Sequence, residues 1–115
     1  MTASGTAQAW LDFRAALDAA GLDVPVSGPF GDATTGIGVV VDVPAVAYLA
    51  TAGCLAQTMA VDVHVLGTPT DDAVVPMLDL VEAVALACQD AGWTPDGWRP
   101  GTVRDRPAFT TTVTR

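Results

Sequence analysis

Residues 54–66, CLAQTMAVDVHVL, decide the fold because their side chains alternate in polarity along the chain. The apolar face would hold Leu55, Met59, Val61, Val63 and Val65, and the opposite face Thr58, Asp62 and His64. A period of two residues is typical of a strand with one buried face and one wetter face. The stretch therefore predicts a long strand in a sheet that is covered on one side.

Two amphipathic helices flank this strand in the sequence. Apolar residues at helical spacing, among them Trp10, Phe13 and Leu17, predict a helix over residues 6–20, which Gly21 would end. A second helix is predicted over residues 72–91, with Gly92 as its stop. Its wide apolar face would hold Val74, Met77, Leu78, Val81, Val84, Ala85 and Cys88.

Shorter β-prone segments surround these elements. Residues 37–43, IGVVVDV, predict a strand, and residues 102–104 and 108–115 predict two more near the end. Residues 44–53, PAVAYLATAG, fit a strand extension, a hairpin arm or a short helix. The order α-β-β-α-β-β predicts an α+β fold, with an antiparallel or mixed sheet of about four strands and two helices packed on one face. A chain of 115 residues fits a single domain, 1–115.

The charge is one-sided, with 13 acidic residues, five arginines and no lysine, giving a net charge of -8. Binding to nucleic-acid backbones needs clustered basic side chains, and such an acidic surface repels DNA and anionic lipid. No run approaches the ~20 apolar residues of a membrane span, and the first residues lack the pattern of a signal peptide. We therefore expect no membrane or specific DNA partner, and synthesis in the cytoplasm.

The sequence offers few groups for catalysis. Asp62 and His64 would project from the same face of one strand, but a nucleophile is missing, since Cys54 lies ~33 Å from His64 along an extended strand. Cys88 falls on the apolar face of the second helix, and one histidine with two distant cysteines cannot form a zinc site. We predict no catalytic residue, no metal site, no cofactor and no enzymatic activity. Reduced thiols are favoured over a disulfide between Cys54 and Cys88.

Four residues are candidates for a subunit or partner interface. Tyr48 and Leu49 lie in the apolar segment after Pro44, where contact surface and core packing both remain open. Trp93 and Trp98 bracket a segment rich in proline and glycine. Three arginines follow (Arg99, Arg104 and Arg106), and they could form a patch for an acidic partner or balance the acidic surface.

The order and length of these segments resemble those of a known family. The segments are DVPAVAYL (42–49), AQTMAVDVHVLG (56–67), TDDAVVPMLDLVEAVALA (70–87) and RPAFTTTVTR (106–115). Together they look like the tail terminator proteins of long-tailed bacteriophages and phage-like particles, over about residues 9–114. Residues 93–101 have no obvious counterpart in that family.

The resemblance implies a structural virion protein without a cofactor. Such proteins form a homo-hexameric ring that caps the tail tube and docks onto the head-completion (neck) proteins, and DNA passes through the lumen without specific binding. Six copies would carry about -48 charges, which would keep DNA from sticking to the lumen. The expected location is the tail neck of the virion. Another head–tail connector or neck protein, or a small non-viral dimeric binding module, remains an alternative.

Overall fold

The protein, described here from a computed structural model, has an α+β fold in which two helices pack against one mixed sheet. The structure describes residues 5–30, 36–51 and 54–115, and it describes the backbone alone for residues 48–51 and 54–57. No helix in the described part of the chain is long and apolar enough to cross a membrane.

The two predicted helices are present. Helix α1 spans Gly5–Asp18 and helix α2 spans Val74–Asp90, preceded by a 3-10 turn at Asp71–Ala73. Gly21 and Gly92 follow them with φ angles of 72° and 85°, the left-handed conformation that glycine adopts without steric penalty. Both helices end two residues or fewer from the predicted positions.

The sheet has more strands than the sequence predicted. The strands are β1 (Val26–Ser27), β2 (Gly38–Val41), β3 (Ala45–Thr51), β4 (Cys54–Leu66), β5 (Thr94–Pro95), β6 (Arg99–Val103) and β7 (Arg106–Thr114). Within the described residues the sheet thus has seven strands, so the prediction of about four strands in the order α-β-β-α-β-β is wrong. Strands β1 and β5 have two residues each, which is too short to show a period of two. Strand β6 contains Pro100 and Gly101, which have low strand propensity, so the sequence does not predict the first part of this strand.

Strand β4 is the central element of the sheet. Along one edge it pairs antiparallel with β3 and then with β2, and along the other edge it pairs antiparallel with β7. Strand β7 pairs in turn with β5 and β6, and β1 runs parallel to β2. The 13 residues of β4 give it enough length to serve three neighbours.

The core lies between one face of this sheet and the two helices. Val61, Val63 and Val65 are fully buried, as the alternation predicted, and both helices belong to the same apolar cluster as these valines. Helix α1 contributes Phe13 and Leu17, and helix α2 contributes Met77, Leu80, Val84 and Cys88. The opposite face of β4 carries Asp62 and His64, as expected.

The turn after β4 brings α2 close to the sheet. A Cβ atom built on Gly67 would lie 2.0 Å from the Sδ atom of Met77, so only glycine fits under this side chain. The Gly67 N–H donates to the Pro107 carbonyl at 2.9 Å, and Arg106 Nε donates to the Gly67 carbonyl at 3.2 Å. The start of α2 is thereby fixed over the ends of β4 and β7.

Candidate interaction surfaces

His64 contacts residues from two neighbouring segments of the sheet. Its Nδ1 atom lies 2.8 Å from Thr110 Oγ1 on β7, and its Nε2 atom lies 3.4 Å from Asp42 Oδ2 beside β2. The side chain is buried, with 10% of its surface exposed. Both ring nitrogens of His64 thus have a partner within the fold.

Asp62 and His64 share one face of β4, as expected, but their side chains bond to other partners. Asp62 Oδ1 instead accepts a hydrogen bond from Thr112 Oγ1 at 2.6 Å, across the strand pair. Asp42, which lies after β2, takes the place of Asp62 beside His64. Sequence spacing places Asp62 on the same face as His64, but the carboxylate nearest the ring belongs to Asp42, just past the end of β2.

The thiol of Cys88 is also buried in the core. Burial raises the pKa of the Cys88 thiol to about 12, so the nucleophilic thiolate is not formed near neutral pH. Cys88 is a free thiol, while the side chain of Cys54 lies outside the described residues. In the part of the chain that the structure describes, no three His, Cys, Asp or Glu side chains converge to hold a metal ion.

Strands β3 and β4 form an arm that runs beyond the rest of the sheet. Their pairing extends from Ala45 opposite Ala60 to Thr51 opposite Cys54. Strand β7 pairs with β4 only as far as Ala60, so among the described strands β3 alone accompanies residues 54–59. Five of these residue pairs, from Ala47 opposite Thr58 to Thr51 opposite Cys54, lie beyond both β7 and the core and make an arm about 15 Å long, and the molecule measures 54 × 30 × 25 Å.

Two of the predicted interface residues lie in this arm. The backbone of Tyr48 pairs with Gln57, and that of Leu49 pairs with Ala56. Residues 45–51 are thus a hairpin strand, which resolves the choice between strand, arm and helix. The side chains of Tyr48 and Leu49 lie outside the described residues, so their role in an interface stays a prediction.

The two predicted tryptophans have different environments. Trp93 is buried and its ring packs on Phe13, with centroids 4.8 Å apart and planes tilted by 40°. We therefore correct the prediction for Trp93, which belongs to the core because the turn after α2 directs it beneath α1. Trp98 is partly exposed, and its buried Nε1 donor has no hydrogen-bond acceptor among the described residues.

An apolar groove lies at the base of the arm. It has a volume of about 480 Å³ and is lined by Trp10, Arg14, Gly28, Pro29, Phe30, Val43 and Pro44. Phe30 and Val43 are exposed, and the Trp10 indole N–H donates to the Asp42 carbonyl at 2.9 Å. Exposed aromatic and aliphatic groups around a concave site are typical of a protein contact.

A second apolar surface lies on α2. Four large apolar side chains are exposed on this helix: Val74, Val75, Leu78 and Leu86. Val74 and Leu78 belong to the wide apolar face predicted from the sequence, yet both are exposed, so the apolar stripe of α2 is wider than its buried face. The excess width of that stripe was the available signal for an exposed contact surface.

The arginines after Trp98 stabilise loops. Arg104 donates to the backbone carbonyls of Gly28 and Pro29, and Arg106 donates to those of Gly36 and Gly67. These contacts fasten the segment before β2 and the turn after β4 onto the β6–β7 hairpin. A structural role therefore accounts for two of the three arginines that could have formed an acidic-partner patch.

No protein-family model matches the chain, and a search of curated proteins found no match.

Proposed function

We propose that this chain is a structural subunit of a phage-like virion, a tail terminator. In this role six copies form a closed ring that caps the tail tube and joins it to the head-completion proteins. The ring sits in the neck of the virion, and DNA passes through its lumen without being bound specifically. The chain acts by assembly and has no catalytic role.

The observation that carries the proposal is the arm formed by β3 and β4. A two-stranded ribbon is marginally stable in water, because it can bury little apolar surface and leaves two edges unpaired. Ala47 is exposed on the arm, and β3 has no second neighbour among the described strands. An adjacent subunit that covers this arm would supply both the missing surface and the missing strand pairing.

A closed ring requires two different patches, one donated and one received. The arm provides the donated patch. The groove at its base, which exposes Phe30 and Val43, provides the patch that would receive the arm of a neighbouring subunit. With the arm and the groove on the same molecule, each subunit can contact two neighbours through unlike surfaces. This is the heterologous arrangement from which rings are built.

The test is native mass spectrometry of the protein over a range of concentrations, alone and with its cognate tail tube protein. We expect a hexamer, or a monomer that becomes a hexamer when tube protein is added. Subunits that carry -8 charges each repel one another, so assembly should strengthen from about 20 mM to about 500 mM salt.

Other results would redirect the assignment. A ring that binds neck proteins but ignores the tail tube would favour a sibling head–tail connector. A strict dimer would favour the non-viral binding module, and a monomer that never assembles would contradict both readings.

A further inference from the structure

We propose that the outward face of α2 is a second, independent interface, which docks a basic amphipathic segment of a different protein. The surface does not include the arm or its groove, so the inference holds whether or not the chain forms a ring. We call it the α2 surface and define it by Val74, Val75, Leu78 and Leu86.

The α2 surface is apolar where a solvent-facing helix is normally polar. Its exposed fractions are 66% for Val75, 56% for Leu86, 48% for Leu78 and 46% for Val74. Val74 and Leu78 are four residues apart, and Val75 and Leu78 three apart, so they are neighbours on one side of the helix. Single exposed apolar residues are ordinary, but a group on one helix face marks a contact site.

A cleft adjoins the N-terminal end of this surface. It encloses about 290 Å³, and Val74 and Met77 of α2 form one wall. The opposite wall comes from the β6–β7 hairpin and contains Pro100, Pro107 and Phe109. An apolar side chain of a docked segment could enter this cleft while the rest of the segment lies along α2, as in other helix-in-groove complexes.

The charges around the α2 surface specify the partner. Residues 71–90 contain five carboxylates and no basic residue: Asp71, Asp72, Asp79, Glu82 and Asp90. Glu82 lies four residues from both Leu78 and Leu86, so one carboxylate falls within the apolar group itself. A partner segment that matches this surface would have large apolar side chains to cover the apolar group, flanked by lysine or arginine to pair with the carboxylates.

A second copy of this chain does not fit the surface. Symmetric pairing of two α2 helices would bring the carboxylates of one copy against those of the other, which is unfavourable. The chain has five arginines in all, and Arg104 and Arg106 already bind backbone carbonyls of the chain itself. A partner that supplies its own basic residues is therefore the better match.

The test uses a synthetic peptide of about five helical turns, with leucines on one face and lysines on the other. A peptide with glutamate in place of every lysine is its control. We expect the lysine peptide to bind, to shift the amide NMR signals of α2 and of the adjoining cleft, and to weaken as salt rises. The Leu78→Ser and Glu82→Gln variants should each weaken binding about tenfold.

Matched variants separate this site from general attraction to an acidic protein. Leu11→Ser removes an apolar side chain of similar exposure from α1, and Asp18→Asn removes a charge there. Both should bind the lysine peptide within about twofold of the unsubstituted protein. The proposal is overturned if the lysine peptide does not bind, or if Leu78→Ser and Leu11→Ser weaken peptide binding equally. It is also overturned if the unsubstituted protein is a dimer that Leu78→Ser dissociates, because the surface would then bind a second copy of the chain.

Discussion

The contact between Gly67 and Met77 shows how one residue without a side chain positions a helix. The Met77 thioether occupies the space above Gly67, and this contact lies in the connection between β4 and α2. Because the close atoms include Met77 Cγ as well as the flexible end of the side chain, a rotation of the thioether alone cannot relieve the clash.

Replacing Gly67 with alanine should therefore destabilise the fold. We expect Gly67→Ala to lower the free energy of unfolding by about 1–3 kcal/mol, the usual cost of overpacking. Gly101→Ala is the control, because a Cβ atom there meets no heavy atom within 4 Å. Urea denaturation of both variants measures the difference, and equal midpoints would contradict the steric argument.

Asp96 links stability to pH. The Thr112 N–H donates to Asp96 Oδ1 at 3.1 Å, and this bond, supported by the Thr111 hydroxyl, lowers the pKa of the carboxyl below its ordinary 3.8. The folded state then holds this proton less readily than the unfolded state. The contribution of this carboxylate to stability is complete above its ordinary pKa of 3.8 and is lost as pH falls through the lower folded value.

The Asp96→Asn variant tests this linkage. Asparagine can accept the same two hydrogen bonds but does not titrate, so its unfolding midpoint should fall less steeply than that of the unsubstituted protein between about pH 5 and pH 2. Asp18→Asn serves as the control for the loss of one negative charge. If the Asp96→Asn and Asp18→Asn curves coincide over this range, the hydrogen bonds do not carry the effect.

Among the elements, those with a strong local pattern could be predicted and those defined by pairing could not. The alternation in Cys54–Leu66 gave β4 its correct bounds, and the helical stripe located α2. Strands β1 and β5 have two residues each, and only their pairing with β2 and β7 defines them. Trp93 was misjudged for the same reason, since its contact with Phe13 joins distant parts of the chain.

The arm allows a direct test of the ring at the level of one hairpin. Ala47 and Thr58 pair across the arm and are both exposed, so the Ala47→Glu variant adds a charge where the neighbouring subunit is proposed to pack. We expect it to raise the dissociation constant for assembly at least about tenfold and to leave monomer unfolding nearly unchanged.

Ala15→Glu, at an exposed position of α1, is the matched control for that experiment. It adds the same charge to the same molecule, away from the arm, and should assemble as the unsubstituted protein does. Light scattering of both variants gives the comparison. Assembly that is weakened equally by both changes would indicate general charge repulsion rather than a contact at the arm.

At the scale of the whole molecule, the two proposed surfaces differ in their response to salt. Assembly through the arm joins subunits of equal charge, so screening should strengthen it. Docking on the α2 surface joins an acidic face to a basic segment, so screening should weaken it. A single salt titration can therefore distinguish the two interactions in a mixture that contains both.

The central position of β4 also bears on the order in which the fold forms. Strands β3 and β4 follow each other closely in the chain, and a hairpin can close within about 1–10 μs, whereas Thr112, which bonds to Asp62, lies 50 residues further along the chain. Closing that longer loop costs more entropy and comes later. Until β7 arrives, the innermost strand of the finished sheet is an open edge to which another chain can add, so slow docking of β7 would favour aggregation.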